Sequence, residues 1–313
     1  MLNKLIKAAP AAIIIVALAL MLMLGRQYLD SKLPAMGGTY YKDFKSDAEL
    51  EYKYSQPGEF DVESRTVETG DEVIGNLSVW YPKLAQGEKF PVIIVANPSA
   101  LPASNYTPFF ERLASWGFVV VGNEESQTGK GEGIDKTVDQ LFGLVDTHPL
   151  REVIDYDRIG LVGYSQGGAG ALAAVSVQKN SDKFKALFTG SAVCPDVAKD
   201  YGWTYDTSKI AIPYFMAAGT GDSDAGNDAE DVVGVAPYTA LMDSYDSMDE
   251  NVPKIRGRIV GAEHADVLKR CDGYMTAWML YQLKGDAEAA KAFTGSDAEI
   301  NGNANWQDVE KNL

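Results

Sequence analysis

The sequence predicts an α/β fold: a mostly parallel central sheet with helices on both faces and antiparallel strands at its N-terminal edge. Three observations predict it. Short continuous apolar runs alternate with helical patterns through most of the chain. A glycine-flanked serine stands between one such run and a helix of small residues. Of the 313 residues, 46% are hydrophobic, an ordinary fraction for a globular core.

In chain order, Phe60 to Val67 alternates polar and apolar residues and reads as an edge strand, with Asn76 to Tyr81 as its partner. Pro91 to Ala96 is continuously apolar, as expected of a strand covered on both faces. Thr107 to Trp116 reads as a helix, with Thr107 as its N-cap, Pro108 at the first helical position and Gly117 as its stop. Phe118 to Val121 is the next strand, and Ile134 to Leu144 the next helix. Ile159 to Val162 is a strand, and Gly167 to Val175 the small-residue helix after it. Lys185 to Thr189, Ile210 to Ala218 and Arg256 to Val260 continue the strand series. Helices are expected over Val235 to Ser247 and Ala265 to Leu283.

The ends read differently. Lys4 and Lys7 precede an apolar run over residues 8–25, broken only by Pro10. At about 1.5 Å per residue this just spans a bilayer core of about 30 Å. Residues 1–32 are therefore expected to be a signal anchor, with a cleaved signal peptide as the alternative. The preceding positive charge places the domain outside the cytoplasm, either held to the membrane or secreted after cleavage. Residues 33–57 read as a linker, 58–290 as the α/β domain, and 291–313 as an acidic tail.

Net charge is −16 and the isoelectric point is about 4.6, so a nucleic-acid partner is not expected. Cys194 and Cys271 are the two cysteines, and both pairing and two free thiols fit the sequence. The acidic run from Asp222 to Asp231 misses the spacing of a calcium loop and reads as surface. No metal or cofactor is called for, and a monomer is expected.

The serine lies in Gly163-Tyr164-Ser165-Gln166-Gly167, between the strand and the small-residue helix. A turn that tight exposes the hydroxyl and leaves no room for side chains two residues before and after it. A serine needs a base to take its proton and an acid to orient that base. In this arrangement the order is Ser, acid, His. Of the two histidines, His148 precedes the serine, so His264 is the expected base. The strand ending at Ala218 runs into Gly219-Thr220-Gly221-Asp222-Ser223-Asp224. Asp222, the first carboxylate past the strand, is the expected acid, with Asp224 as competitor. Two backbone N–H groups must stabilise the oxyanion. Gln166, after the nucleophile, supplies one. The loop Asn97-Pro98-Ser99-Ala100 supplies the other, with Ser99 expected and Ala100 as alternate, since Pro98 has no N–H.

Gly-Tyr-Ser-Gln-Gly-Gly, the Gly-Thr-Gly-Asp strand end and Gly-Ala-Glu-His together resemble α/β-hydrolases. The stretch from Asn97 through Leu113 to Val120 resembles the dienelactone-hydrolase-like esterases. It is most similar to their cutinase-like branch, which includes poly(ethylene terephthalate) hydrolases and chlorophyllase-type enzymes. The resemblance covers residues 58–285. It implies a catalytic triad of Ser165, Asp222 and His264, with oxyanion donors at Ser99 and Gln166. It also implies a small-molecule or polymeric ester as substrate. That branch commonly carries an aromatic residue where Ser99 stands and a methionine where Gln166 stands.

The intervals from Ser165 to Asp222 and from Asp222 to His264 are filled by the expected elements, leaving no room for a large lid. The expectation is thus a lidless serine hydrolase of carboxylic esters. An acyltransferase or peptidase with the same triad, or a catalytically dead anchored binding domain, is the alternative.

Overall fold

The computed structural model describes residues 36–83 and 87–313. Among the described residues, nine strands form a single sheet in the order β1-β2-β4-β3-β5-β6-β7-β8-β9. They are β1 Val62–Val67, β2 Leu77–Pro82, β3 Phe90–Ala96, β4 Val119–Gly122, β5 Ile154–Tyr164, β6 Phe184–Gly190, β7 Tyr214–Gly219, β8 Lys254–Ile259 and β9 Trp306–Lys311. The strands β4, β3, β5, β6, β7 and β8 are mutually parallel. β1, β2 and β9 run antiparallel to their neighbours. The predicted fold class therefore holds.

The central runs are continuously apolar because each strand serves two cores. In β3, Ile93 and Val95 enter one cluster with Phe109, Phe110, Phe215 and Trp278. Val92 and Ile94 enter the other, with Leu161, Leu172 and Met216. Alternate side chains of a strand point to opposite faces, so a strand covered on both sides shows no polar alternation.

The helices are α1 Glu49–Ser55, α2 Thr107–Ala114, α3 Glu132–Phe142, α4 Gln166–Ser176, α5 Pro195–Asp200, α6 Asp222–Ala225, α7 Tyr238–Ser247, α8 His264–Arg270, α9 Asp272–Lys284 and α10 Ala287–Ala290. The single helix expected over Ala265 to Leu283 is two, α8 and α9, meeting at Cys271. The run Ile210 to Ala218 becomes strand only after Pro213, which has no N–H to give a ladder. Both cysteines are buried free thiols, which settles the pairing left open by the sequence.

The expected boundaries at 57 and 291 do not coincide with the fold. From residue 36 onward the expected linker is packed structure. Glu51 is fully buried and accepts hydrogen bonds from Trp306 Nε1, from Asn303 Nδ2 at 2.8 Å and from Asn305 Nδ2 at 2.9 Å. Tyr40 donates to Asp272, and Arg112 donates to the carbonyl of Tyr54 at 2.8 Å. The expected tail contains β9, which completes the sheet beside β8. Its acidity has a structural reason: Asp308 and Glu310 pair with Arg258 and Arg256 of β8. Polar sequence hid both segments because their carboxylates are used internally.

No helix among the described residues is long and apolar enough to cross a membrane. The apolar run at 8–25, and with it the signal-anchor expectation for 1–32, lies outside the described residues.

Candidate active site

The end of β5 places Ser165 on a left-handed turn, φ +54° and ψ −123°. A side chain in that region costs of order 1–3 kcal/mol, so the surroundings must hold it there. They do so through the backbone. Ser165 N–H donates to Gly190 O at 3.0 Å, and Ser165 O accepts from Gly168 N–H at 2.9 Å. The flanking glycines are required by space. A Cβ on Gly163 would lie 2.3 Å from Gly167 O, and one on Gly167 would lie 2.2 Å from Ala96 O. The small residues of α4 continue this close packing, since a Cβ on Gly170 would lie 2.1 Å from Thr128 O.

His264 opens α8, just past β8. Its Nε2 lies 2.9 Å from Ser165 Oγ. Its Nδ1 lies 2.8 Å from a carboxylate oxygen of Asp224, not of Asp222. The expectation for the acid is therefore corrected. β7 ends at Gly219 and the chain enters the one-turn helix α6 at Asp222. Two residues along a helix is a rotation of about 200°. Asp222 consequently faces outward and accepts from Asn227 Nδ2 at 2.9 Å. Asp224 turns inward and has no exposed surface.

The second oxygen of Asp224 accepts from Ser191 Oγ and from the Gly219 N–H. Ser191 follows β6 with φ +47° and was not singled out by the sequence. Its only signal there was its place directly after a strand of the parallel sheet. Gly219 has no space for a side chain, because a Cβ would lie 2.2 Å from Ala262 O. Ser223 fastens the acid's turn to the histidine's. It receives the His264 N–H at 2.9 Å and donates to Glu263, which caps α8. These bonds hold the Glu263 carboxyl below the usual carboxylate range.

Among the described residues no acceptor is bonded to the backbone N–H of Ser99 or of Gln166. The loop bearing Ser99 is pinned from beneath by Asn97, which is fully buried. Asn97 Nδ2 donates to Asn123 O and Glu125 O, each at 2.9 Å, and its Oδ1 accepts from Tyr106 at 2.7 Å. The next residue but two, Ala100, has φ +55°. Ala100, Ser165 and Ser191 are thus three strained non-glycine positions, each just past the C-terminal end of a parallel strand, β3, β5 and β6. The Gln166 side chain is buried, and its amide donates to Gln127 at 3.2 Å.

These elements border a cleft of about 430 Å³, lined by Ser99, Leu101, Tyr164, Ser165, His264 and Leu268 among others. Tyr164 lies 3.2 Å from the Cys271 thiol. Burial pushes both groups well above their ordinary pKa, so neither supplies an anion here. His148 lies apart and caps a turn, accepting from Leu150 N–H at 3.3 Å.

A family model described as PET hydrolase-like matches residues 46–305. The chain belongs to the PET hydrolase-like family. That family is an α/β-hydrolase family of polyester-hydrolase type, and membership implies serine-hydrolase chemistry on esters in the broad sense. An uncharacterized protein of Pseudomonas aeruginosa is 27% identical over 121 residues, covering 36% of this chain and 32% of that protein. The match thus spans about a third of that relative's length. The PET hydrolase-like match begins at residue 46, within the expected linker, and runs almost to β9.

Proposed function

We propose that this PET hydrolase-like protein hydrolyses carboxylic esters through an acyl-enzyme on Ser165. Ser165 Oγ attacks the ester carbonyl while His264 Nε2 takes its proton. Asp224 accepts the Nδ1–H of His264, which fixes the tautomer with a free Nε2 lone pair and stabilises the imidazolium that forms. The N–H groups of Ser99 and Gln166 receive the developing oxyanion. His264 then gives the proton to the leaving alcohol. Water, deprotonated by the same nitrogen, attacks the acyl-enzyme; Ser165 recovers its proton and the acid leaves.

One observation carries the reading: the Ser165–His264–Asp224 hydrogen-bond chain opens into a cleft, in a member of an ester-hydrolysing family. The two unbonded N–H groups beside the serine support the oxyanion assignment. The cleft is read as lidless, so no jump in rate at a lipid interface is expected. The domain is proposed to act outside the cytoplasm as a monomer, with residues 8–25 as its membrane segment.

The test is turnover of p-nitrophenyl esters. Ser165→Ala is expected to lower kcat by at least about 10³-fold with circular dichroism unchanged. Wild-type turnover in that variant would refute the mechanism.

A further inference from the structure

The chain has 44 acidic residues, yet among the described residues no Asp or Glu lines the catalytic cleft. Among the described lining residues, Lys269 is the one permanently charged side chain. Lys269 is an exposed residue of α8 that lines this cleft together with His264, which opens the helix, and Leu268, one turn later. Lys269 also lines a neighbouring cavity with Asp43, Asp266 and Asp272. It forms no salt bridge there among the described residues. Asp266 instead caps α8 by accepting from the Glu263 N–H at 3.1 Å. Asp272 is engaged by Tyr40 and, at 3.3 Å, by Arg112. In a molecule of net charge −16, Lys269 thus has no carboxylate partner among the described residues.

We infer that Lys269 selects esters that carry a free carboxylate near the scissile bond, such as monoesters of dicarboxylic acids. The remainder of the wall, with Pro98, Leu101, Tyr164 and Leu268, is largely apolar and suits the hydrocarbon between the two carboxyl groups. The overall negative charge discourages polyanions, whereas one carboxylate meets one local cation. This inference rests on the ester-hydrolase reading above and names its substrate class.

The experiment compares matched substrates on the full-length protein. One pair varies the acyl side, p-nitrophenyl hydrogen glutarate against p-nitrophenyl valerate. The other varies the alcohol side, 4-carboxyphenyl butyrate against phenyl butyrate. The wild type is expected to favour the charged member of at least one pair. Lys269→Met is expected to lower kcat/KM for that member about three- to tenfold, as for a partly screened ion pair, and to leave the neutral partner unchanged. Lys269→Arg should retain most of the preference, and added salt should erode it. Equal effects of Lys269→Met on charged and neutral esters, or no effect on either, would overturn the inference while the esterase reading stands. Wild-type turnover of none of the four esters, or full turnover by Ser165→Ala, would overturn that reading and this inference with it.

Discussion

Asp222 and Asp224 are two positions apart, carry the same side chain and sit in opposite environments. Asp222 is on the outside of a one-turn helix, bonded to Asn227, while Asp224 is buried against His264, Ser191 and the Gly219 N–H. Asp224→Asn is therefore expected to lower kcat by about 10²–10⁴-fold, because the amide favours the wrong imidazole tautomer. Asp222→Asn should stay within about twofold of wild type in the same ester assay. Ser191→Ala removes one of two hydrogen bonds to the second Asp224 oxygen, a bond to a charged group worth about 1.5 kcal/mol or more. A loss of about tenfold in kcat, with little change in KM, is the expected result. A change confined to KM would show that Ser191 contacts substrate instead.

The strand–elbow–helix unit was legible in the sequence because each of its requirements is local. Val162 to Gly167 must turn sharply, and glycines two residues either side of Ser165 are the sole residues that fit. His264 was legible through scarcity and chain order. The choice of acid was not, because it turned on whether the loop after β7 is extended or helical, which sequence near Gly221 leaves undecided. The terminal elements were hidden for another reason: their partners are distant in the chain. Glu51 meets Asn303, Asn305 and Trp306 about 250 residues away, so a buried carboxylate looked like a solvated linker. Glu51→Ala would strand several buried donors together and is expected to cost about 3–5 kcal/mol in urea unfolding. A loss under about 1 kcal/mol would mean that α1 and β9 are peripheral to the fold after all.

At the scale of the molecule, the dispersed acidity includes a member that opposes folding near neutral pH. Glu125 is buried, its Oε2 has no hydrogen-bond partner, and burial raises its pKa from 4.5 to about 7. The folded state therefore holds a proton that the unfolded chain releases across that interval. Stability is highest below pH 4.5 as far as this group is concerned, and falls as pH rises toward 7. Glu125→Gln should flatten that decline and raise stability at pH 8 by about 1–3 kcal/mol. Urea midpoints at pH 5 and pH 8 test it, and parallel shifts of wild type and variant would contradict it. The backbone carbonyl of Glu125 also accepts from Asn97, so this residue helps to hold the loop that carries Ser99.

The central claim is that Ser165 is the nucleophile, activated by His264 and held ready by Asp224. Its most direct measurement is mass-spectrometric mapping of the protein after reaction with a fluorophosphonate ester. The account predicts a single adduct on Ser165, formed by wild type and by Asp222→Asn, strongly slowed in Asp224→Asn and absent in Ser165→Ala. An adduct on another residue, or an enzyme that stays fully active while carrying the Ser165 adduct, would contradict it.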